Sequence, residues 1–314
     1  MRRQSLLLAL LFIVSLPVSA ASELKVLTSI TPIQLIASEI LAGVTQPDVL
    51  LPPGASPHQY SLRPSDVRKI QQADLIFWVG PELERFLAKS LGQTDATVIA
   101  LMDEEAHSDE EAHPDEEAHP DEETHPDEET HPDEAGDHDH DHGGADPHIW
   151  LDPLHALEVA EVIHEAAVKA APAQKAQLDS NYAEFSSALL ALDKQLMLEL
   201  SPLATRGFVV FHDAYHGFVA HYNLLQLDAI TINPSRKAGA KHLAELREAV
   251  IQSKAVCIFS EPQFSSAVLQ AVTSGSTIHT AELDPLGQSI TPGKGAYLAF
   301  LTDFAAVFEG CLKD

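Results

Sequence analysis

Residues 103–142 cannot join a packed core, and that divides the chain into two folding parts. Five hexads run in tandem there, each opening Asp-Glu-Glu and carrying a histidine fifth, at His107, His113, His119, His125 and His131. A tail follows in which His138, His140 and His142 alternate with aspartate. Four of the hexads end in proline, which interrupts helix and ladder hydrogen bonds, and the run offers little apolar surface beyond alanine. The loop, taken as residues 103–146, is therefore expected to be disordered. Imidazole and carboxylate every few residues make many overlapping, weak ligand sets for divalent metals, most naturally zinc. A purely solvating acidic linker would need no histidine in each hexad.

At 314 residues the chain can hold two domains of ordinary size. Residues 1–21 belong to neither. Arg2 and Arg3, the apolar stretch 6–16 and the small residues Ser19 and Ala20 read as a secretory signal peptide cleaved after Ala20 or Ala21. The mature chain is expected in the periplasm, free of stable membrane insertion, since no other window is long and apolar enough to span and no cysteine near the cleavage site offers a lipid anchor.

The formal charge of −28 overstates the acidity of the folded parts. Residues 103–142 carry 20 of the 47 acidic residues and no Lys or Arg, which leaves 27 acidic against 19 basic, or −8. No basic patch remains to attract nucleic acid. Only two cysteines occur, Cys257 and Cys311. In an oxidising compartment their simplest fate is one disulfide, with thiolate metal ligation the competing reading.

On both sides of the repeat, short apolar runs alternate with helical patterns. Strands are expected at 25–29, 49–51, 75–79 and 97–101, with helices from Thr31-Pro32, over 63–73 and over 82–91. After the repeat, residues 148–151 read as a short extended piece and Asp152-Pro153 as the start of a helix to about 170. Residues 172–200 carry Leu178, Phe185, Leu189, Leu196 and Leu200 at helical spacing with no internal Gly or Pro, an unusually long helix that reads as a strut. The alternation then resumes, with strands at 208–211, 225–230, 256–259 and 277–281, and helices at 213–221, 237–252, 265–272 and from 293 to the end. The fold class is therefore α/β, two pseudo-symmetric lobes with parallel sheets flanked by helices: residues 22–171, a linking helix over 172–204, and residues 205–314. Ligands of such sheets sit at the carboxyl ends of the strands.

Three histidines fall at such places in separate parts of the chain: His58, His148 and His212. Three neutral imidazoles and one oxygen make a tetrahedral set that suits zinc, with Asp284, just beyond the last strand, as the candidate oxygen donor. Asp213, beside His212, is a candidate to orient an imidazole through its other nitrogen, and Glu261 is a weaker candidate of the same kind.

These residues lie in four ordered motifs: residues 53–66 (PGASPHQYSLRPSD), 146–153 (DPHIWLDP), 211–215 (FHDAY) and 261–264 (EPQF). Together they resemble the high-affinity zinc-uptake solute-binding proteins of bacterial ABC transporters, the ZnuA type, over nearly the whole mature chain. The resemblance implies a two-lobed receptor that holds Zn2+ through His58, His148 and His212, and the chain is expected to be a monomer. It also implies a His-rich loop before the second ligand, a Cys257–Cys311 disulfide and delivery to an inner-membrane permease. Some relatives carry Glu immediately before the first ligand, where this chain has Pro57, so the fourth ligand stays open between Asp284, water and a loop residue.

Three rival readings are weaker. His212 and His216 have the spacing of a zinc-protease helix, but Asp213 stands where that chemistry needs a longer general base. A manganese receptor would call for more oxygen ligands than three histidines leave room for. A metal buffer would reside in the repeat alone.

Overall fold

The computed structural model describes residues 24–102, 146–230 and 239–313; the expected signal peptide and the repeat lie outside them. Two four-stranded sheets are each built around two central strands too apolar to face water. In the first, β1 (Val26–Thr28) and β3 (Leu75–Trp78) are buried throughout and lie side by side, with β2 (Asp48–Val49) and β4 (Thr97–Ala100) outside them in the order β2-β1-β3-β4. The second repeats the plan: β5 (Phe208–Val210) and β7 (Cys257–Ser260) are central, with β6 (Gln226–Ala229) and β8 (His279–Glu282) outside, in the order β6-β5-β7-β8. All pairings are parallel. Each sheet therefore has its switch of strand order between its two central strands, the crevice where such folds place ligands.

The helices, among them α2 (Pro64–Gln72), α8 (Ala240–Gln252) and α9 (Ser266–Thr273), close both sheets and join them. α1 (Thr31–Ile40) opens with Pro32 in its first turn, where a missing N–H costs nothing, and is buried from Pro32 to Ile40. α5 (Pro153–Ala170) starts on Asp152, whose carboxylate accepts from the N–H groups of Leu154 (2.7 Å) and His155 (3.4 Å). The strut is α6 (Lys175–Leu200), which buries Leu178, Phe185, Leu189, Leu196 and Leu200 and follows a 3-10 turn, Pro172–Gln174, that the sequence pattern had merged with it. Asn181 on α6 donates to Ile40 O and Ala42 O, both at 2.8 Å, satisfying carbonyls at the end of α1. The final helix, α10 (Ala296–Lys313), packs against α1 and α6, and its Cys311 is disulfide-bonded to Cys257 in β7, 54 residues away.

Local departures from the expected elements have local causes. The helix expected over 82–91 is two short ones, α3 (Pro81–Glu84) and α4 (Ala88–Leu91). Residues 148–151 are not extended but turn as a 3-10 helix, Ile149–Leu151, because Trp150 is fully buried and fixed at both ends. Its Nε1 donates to Pro285 O (2.7 Å) and its carbonyl accepts from Tyr297 Oη (2.8 Å). One apolar core runs through both lobes, including Leu27, Phe77, Trp150, Phe208 and Phe308, with a smaller cluster around Ile258 and Val272. Among the described residues no helix is long and apolar enough to cross a membrane.

Candidate metal centre

The loop after β2 carries His58. It turns at Pro52–Ala55, where Ala55 N donates to Pro52 O (3.1 Å) and Gly54 takes φ +81°, a value that suits glycine at the third position of a tight turn. His148 lies immediately before the 3-10 turn pinned by Trp150. His212 follows central strand β5 directly, so the order switch of the second sheet sets it beside the residues that follow β7. The three rings form a near-equilateral triangle, with centroids 5.4 Å apart for His58 and His148, and 5.1 Å for each of these with His212.

That triangle has the size of a metal site. Three imidazoles bound tetrahedrally through nitrogen at about 2.05 Å would hold their centroids roughly 5.2 Å apart. One ligand atom from each of the three lies within 4.8 Å of the others, and among the described residues no carboxylate joins the set. His148 is buried, 6% exposed, and His212 likewise, 5%.

The nitrogens are sorted by their outer partners. His148 Nδ1 is 2.6 Å from Asp146 Oδ1, which also accepts from the His148 N–H at 3.0 Å. His212 Nδ1 is 3.0 Å from Glu261 Oε1, which also accepts from Tyr215 Oη at 2.7 Å. Each carboxylate selects the tautomer with hydrogen on Nδ1 and leaves Nε2 facing the cavity. His58 Nε2 and His148 Nε2 are enclosed and take no hydrogen bond among the described residues, a costly state for a polar atom unless something else satisfies it. Burial, then the neighbouring His148 and His212 rings, push the His58 imidazole down to about 3 despite the opposing pull of Asp146, so at neutral pH its ring is an uncharged donor. Burial alone would raise Asp146, but its hydrogen bonds to His148 outweigh that and hold its carboxyl below the usual range.

The other candidates fall differently. Asp213 is exposed and accepts from Gln226 Nε2 at 2.8 Å; Glu261, the weaker candidate from sequence, is the carboxylate on the His212 ring. Asp284 accepts backbone N–H bonds from Leu286 (3.1 Å) and Gln288 (2.7 Å), and burial raises its carboxyl in spite of them. His216 is exposed at the start of the short helix α7 (His216–His221), which His212 precedes, so those two imidazoles do not share a helical face. His107, His113, His119, His125, His131, His138, His140 and His142 lie outside the described residues. Asp146 was missed as an orienting residue; its signal was the Asp-Pro-His spacing, since aspartate readily bonds the backbone N–H two residues on. An open cleft beside Lys25, Asp48 and Lys69 contains an exposed ion pair, Lys69 to Asp48 at 3.0 Å, and none of the three histidines.

The sequence model of the family described as zinc-uptake complex component A, periplasmic, matches residues 26–311. The chain belongs to the ZnuA family. Curated relatives extend the match to both ends: the high-affinity zinc uptake system protein ZnuA of Yersinia pestis is 39% identical over 312 residues, covering 99% of this chain and 98% of that protein. Its counterpart in Haemophilus ducreyi is 38% identical over 297 residues, covering 95% and 96%. A crystal structure of ZnuA superposes with a TM-score of 0.72 at 23% identity, covering 93% of this chain and all of that one. The periplasmic zinc-binding protein TroA of Treponema pallidum gives 0.71 at 20%, covering 93% and 99%. At these identities the two structures establish the shared ZnuA-like fold of paired parallel sheets and a joining helix.

Proposed function

We propose that this protein is the periplasmic receptor of a zinc ABC uptake transporter, binding one Zn2+ between its lobes through His58, His148 and His212. The convergence of three imidazoles, with Nδ1 of two held by carboxylates and two enclosed Nε2 atoms lacking partners, carries this reading. The names of the ZnuA relatives support the cargo. Manganese is disfavoured, because among the described residues no carboxylate oxygen joins the three nitrogens.

Residues 1–21 act as the export signal, and the mature chain comprises lobes 22–171 and 205–314 with 172–204 between them. The eight histidines of the loop collect zinc weakly and raise its concentration near the cleft, whose edge the loop reaches at Asp146. Handover to the inner-membrane permease follows a small shift of the second lobe against the strut.

Zinc titration of the metal-free protein tests this, with and without residues 103–142. The deletion should keep one tight site and lose the weak excess, and His58→Ala or His212→Ala should weaken the tight site far more than any one loop histidine. Loss of all binding with the loop would make the protein a metal buffer instead.

A further inference from the structure

We infer that Gln263 supplies the fourth donor of the metal centre, through its side-chain carbonyl oxygen, an inference that rests on the three-histidine site proposed above. Gln263 lines the same small cavity as His58, His148 and His212, and its Oε1 is enclosed without any hydrogen-bond partner among the described residues. Three enclosed polar atoms without partners therefore line one cavity: two imidazole nitrogens and this oxygen. The Asp146 bond fixes His148 Nε2 as a lone-pair donor, as the amide oxygen is, so these two cannot satisfy one another, and a cation set among them and His58 Nε2 would satisfy all three together.

The backbone holds the amide in place. Phe264 N donates to Glu261 O (3.0 Å), closing a turn with Pro262 and Gln263 at its centre. Proline at the second position fixes that turn. Phe264 packs edge-on against Phe211 at 5.2 Å, tying the turn to the end of β5. The first residue of this turn, Glu261, already orients His212, so one rigid four-residue unit would present both an orienting carboxylate and a donor oxygen.

Charge argues the same way. The carboxylates of Asp146 and Glu261 stand behind His148 and His212, two negative charges set to balance a divalent cation in front of the rings. A neutral amide completes such a set without adding charge. Asp284 would add a third carboxylate, it already accepts the N–H groups of Leu286 and Gln288, and it is not among the residues that line this cavity. Amide oxygen is also a weaker zinc ligand than carboxylate or imidazole, which suits an ion that must leave again.

The test uses the full chain loaded with less than one equivalent of Co2+, so that the tight site fills first, and reads its visible absorption, together with competition titrations of Zn2+. Gln263→Leu removes the oxygen and keeps the bulk. It should weaken zinc about tenfold and change the cobalt spectrum, as expected when a donor is lost. Gln263→Glu should keep a four-donor spectrum with shifted bands, and Asp284→Asn should leave spectrum and affinity as in the wild type. A Gln263→Leu protein indistinguishable from wild type, or an Asp284→Asn protein carrying the change instead, would overturn the assignment while leaving the three-histidine site standing. A wild-type chain with no tight site would remove both.

Discussion

A carboxylate on the second nitrogen of a buried imidazole fixes its tautomer and makes it a better ligand. Glu261 does this for His212 and Asp146 for His148, so Glu261→Ala and Asp146→Ala should each lower zinc affinity about 10- to 100-fold with the three histidines intact, as measured by competition with a chromophoric chelator. The same residues show the limit of the sequence. Chain adjacency favours Asp213, but after a strand, neighbouring side chains diverge, and the spatial neighbour of His212 is Glu261, just beyond the adjacent strand β7 and 49 residues on. His58 contributes a pH signature. Its folded value of about 3 lies below the ordinary value of 6.5, so between these the unfolded chain binds a proton that the folded one refuses. Stability of the metal-free protein should therefore fall as pH drops through 6.5 and level off near 3. His58→Ala should flatten that slope in urea unfolding across this range.

At the scale of elements, the strand and helix alternation was legible because the central parallel strands, buried throughout, read as unbroken apolar runs. What periodicity could not show was the work of tertiary contacts. Residues 149–151 form a turn because Trp150 is bound on two sides, and α10 begins where Glu39 of α1 meets it: its carboxylate accepts from Gly295 N (2.8 Å) and Tyr297 N (3.2 Å), across 256 and 258 residues. That contact caps one helix with the side chain of another, so Glu39→Ala should cost about 1–3 kcal/mol of stability by leaving buried N–H groups unpaired, read from the midpoint of urea unfolding. The turn after β3 adds a second pH signature. Burial pushes the Glu84 carboxyl up to about 7, while its Oε2 accepts from Val79 N at 2.8 Å. From pH 4.5 to 7 the unfolded chain releases a proton that the folded one keeps, so this group lowers stability as pH rises across that window. Glu84→Gln, which keeps an acceptor for Val79, should abolish the effect.

Over the whole molecule, one apolar core crosses both lobes, and the segment bearing His148 is bolted to the second lobe through Trp150, Pro285 and Tyr297. Such lobes cannot swing apart widely without exposing that core, so capture and release must use small shifts around the triangle. The Cys257–Cys311 bond ties α10 to the start of β7, at the other end of that strand from Glu261; replacing both cysteines with serine should destabilise the protein by about 2–4 kcal/mol with zinc affinity little changed. The two-lobed plan was legible because its halves repeat one pattern, whereas the way the lobes are joined depends on single hydrogen bonds that no period records. Zinc-edge anomalous diffraction from crystals grown with one equivalent of zinc tests the central claim most directly. The account predicts a single strong peak about 2.0–2.1 Å from Nε2 of His58, His148 and His212; a principal peak elsewhere, with those three rings unligated, would contradict it.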